Sequence, residues 1–152
     1  MKTLLTMADG TIEELYEHLL PKGSWREEAA FLYVHRRDDS ATSKFDCVEV
    51  EKLKPDDFVA HHSDYIELED SARIRLIKRA HALGASLVEL HSHPGPWPAA
   101  FSEADRAGLR DTVPHMFWRL QQRPYLAIVV AKTGFDALVW IDDFDTDESG
   151  AG

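Results

Sequence analysis

The chain has 152 residues, 44% of them hydrophobic and 29% charged, the profile of a single soluble globular domain with enough length to bury a core. A formal charge of −10 repels phosphate backbones and argues against nucleic acid as a partner. No apolar run approaches the roughly 18 residues a membrane span requires, and the single cysteine, Cys47, excludes an internal disulfide and makes a reducing cytoplasm the expected location.

The opening "MKTLLTMADGTIEEL" turns acidic early and lacks a long apolar stretch, so no secretory signal is expected. In "TIEELYEHLL" the residues Ile12, Leu15, Tyr16, Leu19 and Leu20 recur at helical spacing, and Pro21 with Gly23 ends the helix. "AAFLYVHRR" predicts a buried strand and "KFDCVEVEKL" its partner. "PDDFVAHHSDYIELED" follows with no consistent period. "SARIRLIKRAHAL" predicts a second helix, with Ile74, Ile77 and Leu83 toward the core and Gly84 at its end. "SLVELHSH" predicts a strand broken by Pro94, Gly95, Pro96 and Pro98. A helix is expected from near Ser102, and "VPHMFWRLQQ" reads as another. "YLAIVVA" and "DALVWI", either side of "KTGF", predict a closing hairpin of buried strands. Helices and strands mix without regular alternation, which predicts an α/β fold in the loose sense, or α+β, as one domain over residues 1–144. The acidic end, 145–152, is expected to be a flexible tail.

The stretch "HSHPGPWPAAFSEAD", residues 91–105, carries the chemistry. Residues two apart on a strand face the same side, so His91 and His93 can present both imidazoles to one point. Asp105, one turn into the next helix, can fold back as a third ligand. Two histidines and a carboxylate leave a fourth zinc position open, the arrangement of a catalytic rather than a structural site. Taken singly the parts have plainer readings: Ser102 and Asp105 also make a serviceable helix cap with a first-turn acid. Their joint order is much less common by accident.

That order resembles the JAMM (MPN+) motif, H-x-H-P, seven residues, S-x-x-D, with every fixed position matched. The family comprises zinc metallopeptidases, many of which cleave peptide or isopeptide bonds after the C-terminus of ubiquitin or a ubiquitin-like protein. The resemblance implies that His91, His93 and Asp105 bind zinc and that Ser102 helps hold the oxyanion. It also implies a mixed, mostly antiparallel sheet flanked by helices and an upstream glutamate that takes a proton from water and returns it to the leaving amine. "WREEAAFLYV" offers Glu27 and Glu28; Glu27 is preferred because it puts Ala30 at the family's small position, although Val34 stands where the family has glycine.

Trp97 and Phe101 flank the motif and are candidates to line a groove for an extended tail, with packing as the alternative. His61 and His62 are weaker candidates, read as exposed; His18, His35, His81 and His115 show no partner in the sequence, and Cys47 reads as a buried small apolar residue. Barrel amidohydrolases and phosphoesterases of the PHP type also use H-x-H, but near the chain start and with many later ligands, for which position 91 of 152 leaves no room. The resemblance is to the small stand-alone bacterial type found beside E1-like and E2-like enzymes and a ubiquitin-like protein, including in antiphage defence. A ubiquitin-like protein or its conjugates would be the partner. Release of a small amide from a sulfur-carrier protein, or a non-catalytic interaction module, are the alternatives.

Overall fold

The computed structural model describes residues 2–39, 41–61 and 66–141. Its main sheet has six strands, in the order β1 (Lys2–Thr6), β3 (Thr42–Lys52), β2 (Ala29–Asp39), β6 (Ser86–Ser92), β7 (Tyr125–Ala131) and β8 (Gly134–Trp140). The pairings of β1 with β3 and of β6 with β7 are parallel, and the other three are antiparallel. A short hairpin of β4 (Phe58–His61) and β5 (Ile66–Leu68) stands apart, in the segment whose pattern had no period. The fold is therefore mixed α+β, with a mostly antiparallel sheet, as expected. The acidic tail at 145–152, its boundary at 144 and His62 lie outside the described residues.

The sheet is covered on both faces. Leu15 and Leu19 of α1 (Thr11–Leu19) pack with Ala30, Leu32, Val34, Val88, Leu90 and Ile128 on one side. On the other, Leu76 and Ile77 of α2 (Asp70–Leu83) and Leu109, Val113 and Phe117 of α3 (Glu103–Arg119) meet Ala29, Phe31, Tyr33, Leu87 and Val129. Burial on two faces is why "AAFLYV" and "YLAIVVA" read as unbroken apolar runs rather than alternating ones. Each fully buried Leu or Phe in these layers contributes about 1.5–3 kcal/mol.

Three expectations are corrected. Ile74 is 45% exposed, and α2 instead buries Ala72, Leu76, Ile77 and Ala80, because the two alanines let the helix axis approach the sheet. "VPHMFWRLQQ" is not a separate helix: α3 runs through Pro114, which sits on the exposed side, where water can serve the carbonyl that loses its N–H donor. Cys47 is half-buried rather than buried. The pattern also assigned no element to Lys2–Thr6; its strand character comes from pairing with β3, register Leu4 to Lys44 and Leu5 to Phe45.

This topology positions the motif. The start of β2 and the end of β6 meet at one end of the sheet, Ala29 facing His91. There the Ser92 N–H donates to the Glu28 carbonyl at 3.0 Å, and the Glu28 N–H to Ser92 Oγ at 3.0 Å, clamping the Glu27–Glu28 segment beside the histidines. The His93 N–H donates to the Val130 carbonyl at 2.9 Å, so the backbone stays ordered one residue past β6.

Candidate metal centre

Four side chains converge at this end of the sheet, from the segment before β2, the end of β6 and the residue after it, and the first turn of α3. Ligand atoms of Glu27, His91 and His93 lie within 4.8 Å of one another, a group that can hold a metal ion. Asp105, in the first turn of α3, brings Oδ2 to 3.2 Å from both His91 Nε2 and His93 Nε2. Glu27 Oε2 lies 3.6 Å from His93 Nε2. Donor atoms about 2.0–2.2 Å from a tetrahedral zinc stand about 3.3–3.5 Å apart, so the spacing is that of a ligand shell.

The chemistry of the donors agrees with that fit. His91 is 5% exposed, and its Nε2 has no hydrogen-bond partner among the described residues, its approach to Asp105 lacking hydrogen-bond geometry. A buried imidazole nitrogen left unsatisfied beside a carboxylate costs free energy that a cation between them would recover. Glu27 is 3% exposed and aimed at His93, whereas Glu28 is half-buried and its backbone is committed to Ser92. Of the two glutamates, only Glu27 belongs to the cluster.

Burial alone would raise the Asp105 carboxyl, but the imidazoles of His91 and His93 outweigh it and hold it well below the usual carboxylate range. Burial would likewise lower His91; the carboxylates of Asp105, Glu89 and Glu27 reverse this and raise it above 6.5. In the metal-free chain, protonated His91 then contributes stability that is complete below 6.5 and is lost as pH rises through the folded value. Metal-free protein is expected to have a lower urea midpoint at about pH 9 than at about pH 6. Metal-loaded protein should show the opposite trend, since coordination needs the neutral imidazole. A metal-free midpoint that does not fall with pH would remove the carboxylates' hold on the His91 proton.

Ser102 is the N-cap of α3. Its Oγ accepts from the Asp105 N–H at 3.0 Å, and its own N–H donates to Asp105 Oδ2 at 2.9 Å. The cap sets the Asp105 carboxylate at the cluster, and it leaves the Ser102 hydroxyl proton unused. Ser102→Ala is expected to cost about 0.5–2 kcal/mol in denaturant unfolding. A loss near zero would mean that the capping box contributes nothing.

Phe101 is 7% exposed and its ring stands edge-on to His91 at 6.0 Å, so it packs the imidazole rather than lining an open groove. Trp97 is 72% exposed, against the packing alternative, and its ring covers Gly95, where an added Cβ would come within 2.2 Å of it. The isolated histidines have structural partners. His18, His35 and His81 each bond a backbone carbonyl through Nε2, on Ala29, Leu83 and Arg119 respectively, and the His115 ring lies tilted beside that of Trp118. His61 ends β4 away from the motif in sequence.

Sequence reasoning missed Glu89. It occupies the His91 face of β6, two residues upstream, and lines a cavity of about 490 Å³ whose wall includes His91 and Asp105. Tyr125, 1% exposed, donates its hydroxyl to Glu89 Oε1 at 2.5 Å. Burial raises both the carboxyl and the phenol. An acid at an inward position of an apolar strand was the available signal, legible from the two-residue period shared with His91.

No protein-family model matches the chain, and no curated protein matches it either. No helix among the described residues is long and apolar enough to cross a membrane.

Proposed function

We propose that this protein is a zinc-dependent peptidase or isopeptidase that cleaves after the C-terminal glycine of a ubiquitin-like modifier, either maturing a precursor or removing the modifier from its targets. The observation that carries the reading is the convergence of Glu27, just before β2, His91 and His93, at the end of β6, and Asp105, in α3, with the last three in the order and spacing of the JAMM motif. In this reading His91, His93 and Asp105 hold zinc, and the metal supplies a Lewis acid that acidifies water and polarises a carbonyl. The donor set, two imidazoles and one carboxylate, suits zinc better than calcium or magnesium, which prefer oxygen alone.

The chain's own residues do the rest. Glu27, buried and within 3.6 Å of His93 Nε2, takes a proton from the attacking water and delivers it to the amide nitrogen as the carbon–nitrogen bond breaks. The Ser102 hydroxyl, its proton unused by the helix cap, donates to the carbonyl oxygen where negative charge develops. Ser92 holds Glu28 through two hydrogen bonds, which keeps the neighbouring Glu27 carboxylate facing the site without a loop rearrangement.

The test is hydrolysis of ubiquitin-like proteins carrying a C-terminal fluorogenic amide, by zinc-loaded protein, by chelator-treated protein and by treated protein with zinc restored. Signal that disappears with chelator and returns with zinc supports the reading. Full signal without metal sinks it, and so does silence from folded, zinc-loaded protein across a panel of modifiers.

A further inference from the structure

We propose that His18 is a positioning residue for the general base: from the last turn of α1 it holds the start of β2 and so fixes where the Glu27 carboxylate stands. The proposal rests on the peptidase reading above, which gives Glu27 its role. Glu27 belongs to no regular element. α1 ends at Leu19 and β2 begins at Ala29, and residues 20–28 between them are neither helix nor strand. Hydrogen bonds inside that segment are local, from the Ser24 N–H to the Pro21 carbonyl at 3.1 Å and from the Arg26 N–H to Ser24 Oγ at 3.3 Å. They shape a turn without tying it to the sheet. A reacting group misplaced by about 1 Å costs about 10²-fold in rate, so an acid on such a segment needs support from outside it.

His18 supplies that support. Its Nε2 lies 2.8 Å from the Ala29 carbonyl oxygen, in a partly buried contact. A carbonyl only accepts, so Nε2 carries the proton and donates it. The same oxygen accepts the Leu53 N–H at 3.1 Å, from the residue after β3, which occupies its second lone pair. The donor stands on a firm frame: Leu15 and Leu19, on the same helix, are 3% and 1% exposed and pack against the sheet. Ala29 is also the residue paired with His91 in the β2–β6 register. The peptide that His18 holds is therefore where the strand leading from Glu27 meets the strand carrying the ligands.

The grips on the segment are unequal. Ser92 takes Glu28 from the ligand side and His18 takes Ala29 from α1, both through hydrogen bonds that are partly shielded from water. Upstream of Glu27, Lys132 Nζ stands 5.6 Å from the Trp25 ring centroid, and Trp25 is 65% exposed. Water competes for both partners there, which keeps a cation–π contact weak. The downstream side sets the position of the base, and His18 is the one grip on it that comes from outside the sheet and the motif.

The experiment uses zinc-loaded full-length protein and ubiquitin-like proteins carrying a C-terminal fluorogenic amide. His18→Leu keeps the volume and removes the donor, and His18→Gln offers an amide N–H at similar reach. His18→Leu is expected to lower kcat about 10–100-fold with KM and zinc content unchanged, and His18→Gln to restore most of the loss. Added to Glu27→Gln, His18→Leu should cost nothing further, because a residue that acts through Glu27 then has nothing left to position. A general weakening of the fold would persist in that background. In metal-free protein, hydrogen exchange of the Glu28 N–H should quicken about tenfold or more in His18→Leu, while the amides of α1 keep their rates. If His18→Leu does not fold, His18→Asn, polar but too short to reach Ala29, takes its place. Unchanged kcat, a loss that persists beside Glu27→Gln, or unchanged exchange at Glu28 overturns the proposal. Wild type that folds, binds zinc and cleaves nothing sinks the peptidase reading instead, and the exchange result then decides by itself whether His18 holds the segment.

Discussion

Glu27→Gln is expected to keep its metal and lose about 10²–10⁴-fold in kcat, the contribution of a positioned general base. The amide is nearly the same shape, so the packing that leaves Glu27 3% exposed should survive, and the change falls on proton transfer alone. Glu28→Gln, whose side chain lies outside the cluster, should change kcat little. Metal content measured alongside turnover makes the result decisive. Glu27 groups with His91 and His93 as closely as a ligand would, and Asp105 lies 3.2 Å from both imidazoles. If Glu27→Gln loses the metal while Asp105→Asn retains it, the two acids exchange roles and Glu27 becomes the third ligand. If both variants keep metal and full turnover, the proton-transfer mechanism is wrong.

The second large effect is at His91. His91→Ala should weaken metal binding by more than the 10–100-fold that loss of a merely supporting group costs, and hydrolysis should vanish with the metal. Stability should fall too. In the metal-free protein the acids around His91, Asp105 first, favour its protonated form, and removing one partner from a buried ion pair costs about 3–5 kcal/mol. His93→Ala should lose the metal equally but cost less stability, because the His93 side chain is 23% exposed against 7% for His91. Chemical denaturation of chelated protein separates the two. Equal stability losses would mean that burial does not set the cost, and a His91→Ala protein that binds zinc as tightly as wild type would remove His91 from the ligand set.

The division of labour between Ser102 and Asp105 illustrates how one local motif supports two readings at once. A serine three residues before an aspartate at a helix start is a capping box in any soluble protein, and here it is one, with both reciprocal bonds made. The cap orients the carboxylate that approaches the two imidazoles. A stability loss in Ser102→Ala with little change in kcat would assign Ser102 to the cap alone. A kcat loss that outlasts correction for unfolded protein would assign it to the carbonyl oxygen as well.

By itself the sequence determined the elements whose pattern is local. The helix at Thr11–Leu19, the strands running from Ala29 and from Ser86, the hairpin around Lys132 and Thr133, and the pairing of His91 with His93 and of Ser102 with Asp105 all follow from periodicity, turn residues and spacings within about one helical turn or strand. Tertiary structure decided what depends on pairing across the chain. Choosing Glu27 over Glu28 needs the antiparallel register that sets Ala29 opposite His91, sixty-two positions away, and the Ser92 clamp that follows from it. The strand at Lys2–Thr6 exists because β3 offers it an edge, and the exposure of Ile74 because alanines on the other side of α2 bring that side to the sheet. Glu89 was visible in the sequence as an acid in an apolar strand. Only the convergence of β5, α2 and α3 over the sheet makes its surroundings a cavity, since a cavity is made by surfaces from distant segments and no single segment carries its shape.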